Sequence, residues 1–194
     1  TTIAATTTTT LPPPSVAWRR VADLGAFDRS FVASVVEYDG RLFAAGYTLE
    51  AGADATDPWE GWVTDAAVWV SADAEQWRRI DAPGVFGGEG VQMITRIAAG
   101  PTGLVAIGLA DGWAAVWTSP DGDAWRRAER GDDYAYMESV VWGGTQWVAV
   151  GWDPYGNGRA WVSADGIDWA SIPGPDLHGS APEVAANLFD VAVT

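Results

Sequence analysis

The stretch that decides the fold is Ala67-Val68-Trp69-Val70-Ser71-Ala72-Asp73, which occurs in three related copies. The second copy, at 115–121, reads Ala-Val-Trp-Thr-Ser-Pro-Asp, and the third, at 159–165, reads Arg-Ala-Trp-Val-Ser-Ala-Asp. The first tryptophans of the three copies stand at 69, 117 and 161, so the repeat advances by 48 and then by 44 residues. This period is typical of a propeller blade made of four β-strands.

Each repeat contains four short segments rich in β-branched and aromatic residues, separated by Gly, Asp and Pro. The second segments end on Gly46, Gly108 and Gly151, where a small residue permits close approach of neighbouring backbone. The pattern predicts an all-β propeller of four-stranded antiparallel blades, with three complete blades and a partial blade at each end. The predicted strands are 31–37, 41–47, 66–71 and 76–80, then 91–98, 104–109, 114–119 and 124–128, and finally 136–142, 146–151, 159–163 and 168–172.

The two ends of the chain resemble isolated strands of further blades. Residues 16–20 match the fourth segment of a repeat, and residues 184–193 match a first segment. The partial ends are expected to meet as a composite blade, to pair between subunits, or to mark a fragment of a longer protein. We therefore divide the chain into a Thr/Pro-rich tail at 1–14 and a propeller domain at 15–194.

The composition limits the partners of the chain. The formal net charge is −15 and the isoelectric point is about 4.1, so nucleic acid and anionic membrane surfaces would be repelled. The chain has no cysteine, and no run is apolar enough to insert into a membrane. No phosphate-binding loop or metal-ligand spacing is present, so no cofactor and no metal are expected. Another copy of the chain, another protein or a glycan are the partners that the sequence allows.

The N-terminal tract combines ten mostly β-branched residues with the stiff spacer Leu11-Pro12-Pro13-Pro14. Such tracts are typical of extracellular stalks, which predicts an extracellular or cell-surface location. A β-branched tract also suits an added strand, and exchange of this strand between subunits would produce a homo-oligomer or a filament. The candidate assembly residues are Thr1, Thr2, Ile3, Thr6 and Thr8.

The phrase that runs from Ser119 through Asp121 and Gly122 to Trp125 resembles the Asp-box of sialidase-like β-propellers, also called the BNR repeat. In that family the motif is Ser-x-Asp-x-Gly-x-Thr-Trp, whereas here the interval is one residue shorter and the Thr is missing. In the first copy Ala74 also replaces the glycine. We interpret the motif as structural, because Asp and Ser side chains bond nearby backbone donors and Trp covers the turn. The residues assigned to it are Ser71, Asp73, Trp77, Ser119, Asp121, Trp125, Ser163, Asp165 and Trp169.

The resemblance to sialidases implies glycosidase chemistry, with an arginine cluster, a tyrosine paired with a glutamate, and an acidic proton donor. This chain supplies too few blades to build that site, and its arginines lie mostly in repeated Trp-Arg-Arg phrases on presumed outer strands. The lone histidine, His178, has no visible Ser or Cys partner. The sequence therefore predicts no catalytic residues and no enzymatic activity.

The connections between second and third strands are expected to share one face of the disc, where loop variation carries function. The first of them is expanded: Gly46 to Trp69 is 23 residues, against 9 from Gly108 to Trp117 and 10 from Gly151 to Trp161. Aromatic rings flanked by acids bind sugars or form the core of a protein interface, although the same tryptophans also suit packing between blades. The candidate binding residues are Trp59, Trp62, Trp113, Trp152, Tyr155, Asp57, Asp111 and Asp153. Asp54, Asp57 and Asp65 are a weaker candidate for calcium.

These observations predict a non-catalytic extracellular module for assembly or recognition. The alternatives are a glycan-binding propeller and a fragment of a sialidase-like glycoside hydrolase.

Overall fold

The computed structural model describes residues 25–49, 63–88, 90–128 and 135–172. They form twelve strands, which we number in chain order. The strands are β1 (Ser30–Tyr38), β2 (Arg41–Leu49), β3 (Thr64–Ser71), β4 (Arg78–Arg79), β5 (Gln92–Gly100), β6 (Gly103–Ala110), β7 (Trp113–Ser119), β8 (Arg126–Arg127), β9 (Tyr136–Trp142), β10 (Trp147–Trp152), β11 (Gly158–Ser163) and β12 (Ala170–Ser171).

The strands form three antiparallel sheets of four, each a simple meander from first to fourth strand. The prediction of three successive four-stranded sheets is confirmed, and the strand cores coincide with the predicted segments. The described residues contain no α-helix, only a short 3-10 turn at Gly25–Phe27. The fold is therefore all-β.

The three sheets pack face to face in chain order, and their first strands lie closest together. Strand β5 contacts both β1 and β9, whereas the short fourth strands lie at the far edges of their sheets. One apolar core, around Phe43, Ile94 and Trp117, lies between the first and second sheets. A second, around Ile107, Trp147 and Trp161, lies between the second and third. This is the arrangement of successive blades in a propeller, although the described residues do not form a closed ring.

Each meander places the connections between its strands at two opposite ends of the sheet. At the end that we call the turn end, the first strand turns into the second and the third into the fourth. At the opposite end, called the loop end, the second strand leads to the third and one sheet leads to the next. Antiparallel pairing fixes this alternation for all three sheets.

The Ser-x-Asp phrases build the same hairpin three times at the turn end. In the second copy the Asp121 carboxylate accepts backbone N–H bonds from Asp123 and Ala124 at 2.9 and 2.8 Å. Ser119 donates to Asp121, and the Trp125 indole donates to the Gly122 carbonyl. The corresponding bonds recur in the first copy, around Ser71, Asp73 and Trp77, and in the third, around Ser163, Asp165 and Trp169.

These backbone bonds stabilise the charged form of each turn aspartate. Bonds from Gln76 and Glu75 lower the pKa of Asp73, and those from Ala124 and Asp123 lower the pKa of Asp121. The bonds from Ile167 and Asp168 lower the pKa of Asp165 in the same way. The turns therefore hold ionised aspartates at neutral pH.

The hairpin of one sheet also docks on the sheet before it. Asp123 of the second sheet pairs with Arg41 and Arg78 of the first, at 2.8 Å in each case. The Tyr38 hydroxyl donates to the Pro120 carbonyl at 3.0 Å. A side chain at Gly122 would meet the ring of Phe43. At the turn end, the first and second sheets are thus joined by ion pairs and a hydrogen bond. The turn carboxylates there form structural hydrogen bonds and ion pairs.

The predicted tail at 1–14 and the predicted partial blades at 16–20 and 184–193 lie outside the described residues, so they stay predictions. Within the described part of the chain, no helix has the length and hydrophobicity needed to cross a membrane.

Candidate functional site

The loop end carries one backbone feature that is repeated in all three sheets. Each first strand contains a β-bulge, a single residue that has no partner in the ladder to the second strand. The bulged residues are Ala33 in β1, Thr95 in β5 and Glu138 in β9. Bulges redirect side chains and are frequent beside active sites.

The glycines that end the second segments explain the bulge. A side chain at Gly46 would collide with the carbonyl of Phe31, and one at Gly151 would collide with the carbonyl of Tyr136. A side chain at Gly108 would likewise collide with the carbonyl of Met93. The backbone of each first strand therefore lies so close to the glycine of the second strand that a Cβ atom would not fit. This confirms the close approach of the backbone that was expected at these positions.

The third bulge carries a carboxylic acid. Burial raises the pKa of Glu138, while the Arg96 guanidinium acts in the opposite direction without cancelling the effect. Arg96 is the residue after the bulge in β5, so the acid and the guanidinium come from neighbouring first strands. Glu138 thus differs from the turn aspartates, because folding favours its protonated form.

Neighbouring bulges are tied together by a hydrogen bond. The Thr95 hydroxyl lies 3.2 Å from the carbonyl of Ile107 in its own sheet and 3.2 Å from the carbonyl of Met137 in the next. Met137 directly precedes Glu138, so this contact fixes the backbone that carries the acid.

Aromatic pairs lie beside two of the bulges. Tyr136 and Trp152, directly opposed on β9 and β10, stack with centroids 4.6 Å apart and an interplanar angle of 25°. Phe31 and Tyr47 form the corresponding stack in the first sheet, at 5.3 Å and 20°. The second sheet has Met93 opposite Leu109 at this position. The third sheet therefore combines an acid with a stacked aromatic pair.

The predicted binding residues at the connection from β10 to β11, which we call the third loop, have two roles. Trp152 belongs to the aromatic pair, and Tyr155 is 87% exposed. Asp153 is buried and accepts bonds from Tyr155 and Asn157, and Arg159 pairs with it at 3.4 Å. Burial alone would raise the pKa of Asp153, but these bonds together lower it. Asp153 organises its own loop.

In the second loop, the structure places Asp111 against the buried side chain of Gln92, whose Nε2 donates to Asp111 Oδ1 at 3.4 Å. Arg127 donates to the other end of the Gln92 amide at 3.2 Å. Trp113 begins β7 and is partly buried. Neither of these two hydrogen bonds connects the second loop to the Tyr136–Trp152 pair of the third sheet.

Several predicted residues lie outside the described part of the chain. They are Trp59, Trp62, Asp54 and Asp57 of the expanded loop and the tail residues Thr1, Thr2, Ile3, Thr6 and Thr8. Asp65 is described, on β3. No group of three or more His, Cys, Asp or Glu residues suited to a metal occurs among the described residues.

Sequence reasoning missed Glu138 because it searched the loops, whereas this acid lies inside a strand. A usable signal was present in the repeat itself. Ala33, Thr95 and Glu138 each stand 13 residues before the glycine of the following strand, Gly46, Gly108 and Gly151. Aligning the repeats on these glycines places one acid at a position where the other copies have Ala and Thr.

Comparison with solved structures identifies related folds. A provisionally assigned glycoside hydrolase from Parabacteroides distasonis matches with a TM-score of 0.51 at 16% identity, over 83% of this chain and 52% of its own length. The chain shares its fold with glycoside-processing proteins. A glycosyl hydrolase from Bacteroides ovatus matches with a TM-score of 0.51 at 14% identity, over 74% of this chain and 48% of its own.

A third match belongs to the GH130 family of mannoside phosphorylases, described as containing hydrolases that target β-1,2 mannosidic linkages in Candida mannan. Its TM-score is 0.50 at 12% identity, over 84% of this chain and 60% of its own length. The chain thus spans about half to three fifths of the length of these three structures. No protein-family model matches the chain, and no curated protein matches its sequence.

These comparisons correct two predictions. The expected non-catalytic assembly or recognition role and the expected absence of enzymatic activity are contradicted, because the matching folds are those of glycoside hydrolases and phosphorylases. The prediction considered acids in loops and arginines on outer strands, and it left out Glu138 and Arg96, which lie on first strands. The alternative of a hydrolase fragment agrees better with the comparisons. They show a propeller-like fold that the chain shares with glycoside hydrolases and do not single out the sialidase family.

Proposed function

We propose that the chain forms blades of a glycoside-processing β-propeller in which Glu138 donates a proton to the glycosidic oxygen. The observation that carries this proposal is the position of Glu138 at the bulge of β9, where the acid is partly buried, feels the charge of Arg96, and lies two residues after the stacked ring of Tyr136. At the turn end, by contrast, the motif aspartates accept backbone bonds and are held ionised.

The environment of Glu138 suits a general acid. Burial favours its neutral carboxyl, which is the form that can give up a proton. In the reaction, the proton moves from Glu138 to the bridging oxygen as the bond from that oxygen to the anomeric carbon breaks. Water then forms a bond to the anomeric carbon and releases its own proton to a second carboxylate, so atoms and charge balance.

The aromatic pair supplies a surface for the sugar. Stacked rings present an apolar plane that matches the C–H face of a pyranose, while the phenol of Tyr136 can bond hydroxyl groups. A sugar placed on these rings would bring its linkage oxygen towards the neighbouring acid. The likeness of fold to glycoside hydrolases supports this assignment as an analogy.

The test compares hydrolysis of aryl glycosides and β-linked oligosaccharides by the chain and by its Glu138→Gln variant. A proton donor contributes about 10²–10⁴-fold to the rate, and the variant is expected to lose that factor. Glu75→Gln, the same change at the exposed turn end, serves as the control and should keep full activity. Equal rates for the chain and the Glu138→Gln variant would overturn the proposal, as would the absence of cleavage across the panel.

The aromatic pair also favours a second candidate, binding of glycans without cleavage. Under this alternative, Trp152→Ala abolishes glycan binding measured by calorimetry, and no substrate is turned over. The expanded loop with Trp59 and Trp62 is proposed to extend the same surface. An extracellular location also stays a proposal, supported by the Thr/Pro-rich tract.

A further inference from the structure

The first strand of a sheet carries two apolar residues on the side that packs against the preceding sheet. In the second sheet they are Ile94 and Ile97, which are buried in the core shared with the first sheet. In the third sheet they are Met137 and Val140, which are buried in the core shared with the second. At both internal contacts, these two positions are therefore covered by another sheet.

The first sheet holds the same two positions with Val32 and Val35. Val32 directly precedes the bulged Ala33, as Met137 precedes the bulged Glu138, and Val35 lies two residues after the bulge. Val32 is 38% exposed and Val35 is 56% exposed, and no sheet precedes β1 among the described residues. We call this pair of valines the leading face. Covering it would remove apolar surface from water and stabilise the molecule.

The segment just before β1 repeats the packing of the segment that joins the first and second sheets. The Trp69 indole donates to the Ala26 carbonyl at 2.7 Å, as the Trp117 indole donates to the Val85 carbonyl at 2.9 Å. Phe27 also packs on Trp69, with ring centroids 5.2 Å apart. The first sheet thus begins with the structure that precedes the second sheet at an internal contact, while its leading face is exposed.

The other side of the third sheet is exposed where the first two sheets are covered. Ile80, Ala128 and Ile172 are equivalent, because the N–H of each donates to a carbonyl of the third strand in its sheet. Ile80 is buried and Ala128 packs against the second core, whereas Ile172 is 41% exposed. Val148 and Val162 are only partly buried, although their counterparts in the first sheet belong to the first core. We call Val148, Val162 and Ile172 the trailing face.

We propose that the trailing face of one copy of the chain docks on the leading face of a second copy. The two faces are the two sides of one contact, which the chain makes twice internally, between its first and second sheets and between its second and third. A second copy is the occupant because it presents each face with the apolar positions that cover it at the internal contacts. The inference is independent of the function proposed for Glu138 and of strand exchange by the N-terminal tract.

The geometry of the contact also suits closure. Each copy contributes three sheets, so two copies that dock at both ends form a ring of six. Propellers have about four to eight blades, and a ring of six lies within that range. Because a leading face meets a trailing face, the contact joins two different surfaces, and both must be intact for it to form.

The turn end adds a compatible polar pair to this contact. At the contact between the first two sheets, Asp123 pairs with two arginines. Glu75 holds the place of Asp123 in the first hairpin, while Gln146 and Ala170 hold the places of the arginines in the third sheet. An amide donates to a carboxylate, so docking would set a donor opposite an acceptor at this position.

Sedimentation of the intact chain tests the docking. The native chain should sediment as two copies, at twice its mass of 20.5 kDa. Val35→Asp and Ile172→Asp each place a charge on one face, and each variant alone should sediment as a single copy. An equimolar mixture of the two should recover the two-copy mass, because one variant keeps its trailing face and the other its leading face. Tyr155→Asp, at a position that is 87% exposed and outside both faces, is the control and should stay paired.

The mixture separates loss of contact from loss of folding, because an unfolded variant cannot restore a pair. The milder variants Val35→Ser and Ile172→Ser should show the same pattern with urea unfolding close to that of the native chain. A native chain that stays at the single-copy mass at every concentration would overturn the proposal. So would paired single variants, dissociation of the Tyr155→Asp control, or a mixture that stays at the single-copy mass.

Salt provides a second readout of the same contact. Each copy carries a formal net charge of −15, so the copies repel one another and added salt screens that repulsion. Association through the two apolar faces should therefore tighten as the salt concentration rises. Weaker association at higher salt would indicate a contact held by ion pairs and would contradict docking through these faces.

Discussion

The two ends of the sheets repeat in different ways. At the turn end, the same Ser, Asp and Trp side chains recur in all three copies, and in each copy the Asp carboxylate accepts N–H bonds from the residues two and three positions later. At the loop end, the same backbone bulge recurs, but its residue changes from Ala33 to Thr95 to Glu138. At the turn end, the Ser and Asp side chains form the turn through their hydrogen bonds. At the loop end, a glycine on the neighbouring strand leaves room for the bulge. The bulged side chain is therefore available for chemistry.

The largest effect is expected from closing the space that a loop-end glycine provides. Gly151→Ala would press a methyl group against the Tyr136 carbonyl, which is backbone and has little room to move. We expect a loss of about 3 kcal/mol in the free energy of unfolding, measured by urea denaturation. Gly144→Ala is the control: it lies in open space with φ near 88°, so only backbone strain of about 1 kcal/mol applies. Equal losses in the two variants would show that the bulge does not depend on this glycine.

A smaller loss is expected when a turn-end carboxylate is removed. Asp165→Ala deletes the acceptor of the Ile167 and Asp168 N–H bonds, which should cost about 1 kcal/mol because the exposed group is screened by water. Asp168→Ala, in the same hairpin, should have little effect. Since folding lowers the pKa of Asp165, its contribution is present above the ordinary value of 3.8 and is lost as the pH falls through the folded pKa. The two variants should therefore converge with the native chain in acid, and a constant difference across pH would contradict this account.

The first copy of the turn offers a small gain in stability. Ala74 has φ near 63°, where the other copies have Gly122 and Gly166 at 82° and 81°. Ala74→Gly should relieve the strain and raise the free energy of unfolding by about 0.5 kcal/mol, after the entropy cost of glycine. Ala72→Gly, which lacks a positive φ, should instead destabilise the chain. A loss in both variants would show that the strain at Ala74 is negligible.

The smallest change in stability is expected from replacing Glu138. Its sign should be opposite to that for the turn aspartates. Folding raises the pKa of Glu138, so its contribution to stability is present below the unfolded pKa and is lost as the pH rises through the folded pKa. Glu138→Gln should therefore be neutral or slightly stabilising at pH 7, unlike the removal of Asp165. A clear loss of stability at pH 7 would identify Glu138 as a structural residue like the turn aspartates.

The sequence predicts the parts of the fold that depend on short-range chemistry. The tryptophan spacing and the Ser-x-Asp phrases locate the three sheets, and the turns that join β1 to β2 and β3 to β4 follow from local residue types. The bulge is harder to predict, because one extra residue shifts the alternation of the strand and hides Glu138 among apolar neighbours. Its geometry depends on Gly151 across the sheet, which is a long-range contact. Trp152 was predicted because it opens the connection between the second and third strands of its repeat, but its stacking on Tyr136 depends on the pairing of β9 with β10.

The most direct measurement of the central claim is the titration of Glu138 in the intact chain, followed by carboxyl ¹³C NMR with the Glu138→Gln variant used for assignment. The account predicts that Glu138 titrates above the ordinary glutamate value of 4.5, while Asp121 and Asp165 titrate below 3.8. A pKa of Glu138 at or below its ordinary value would contradict the claim that the loop end holds a proton donor.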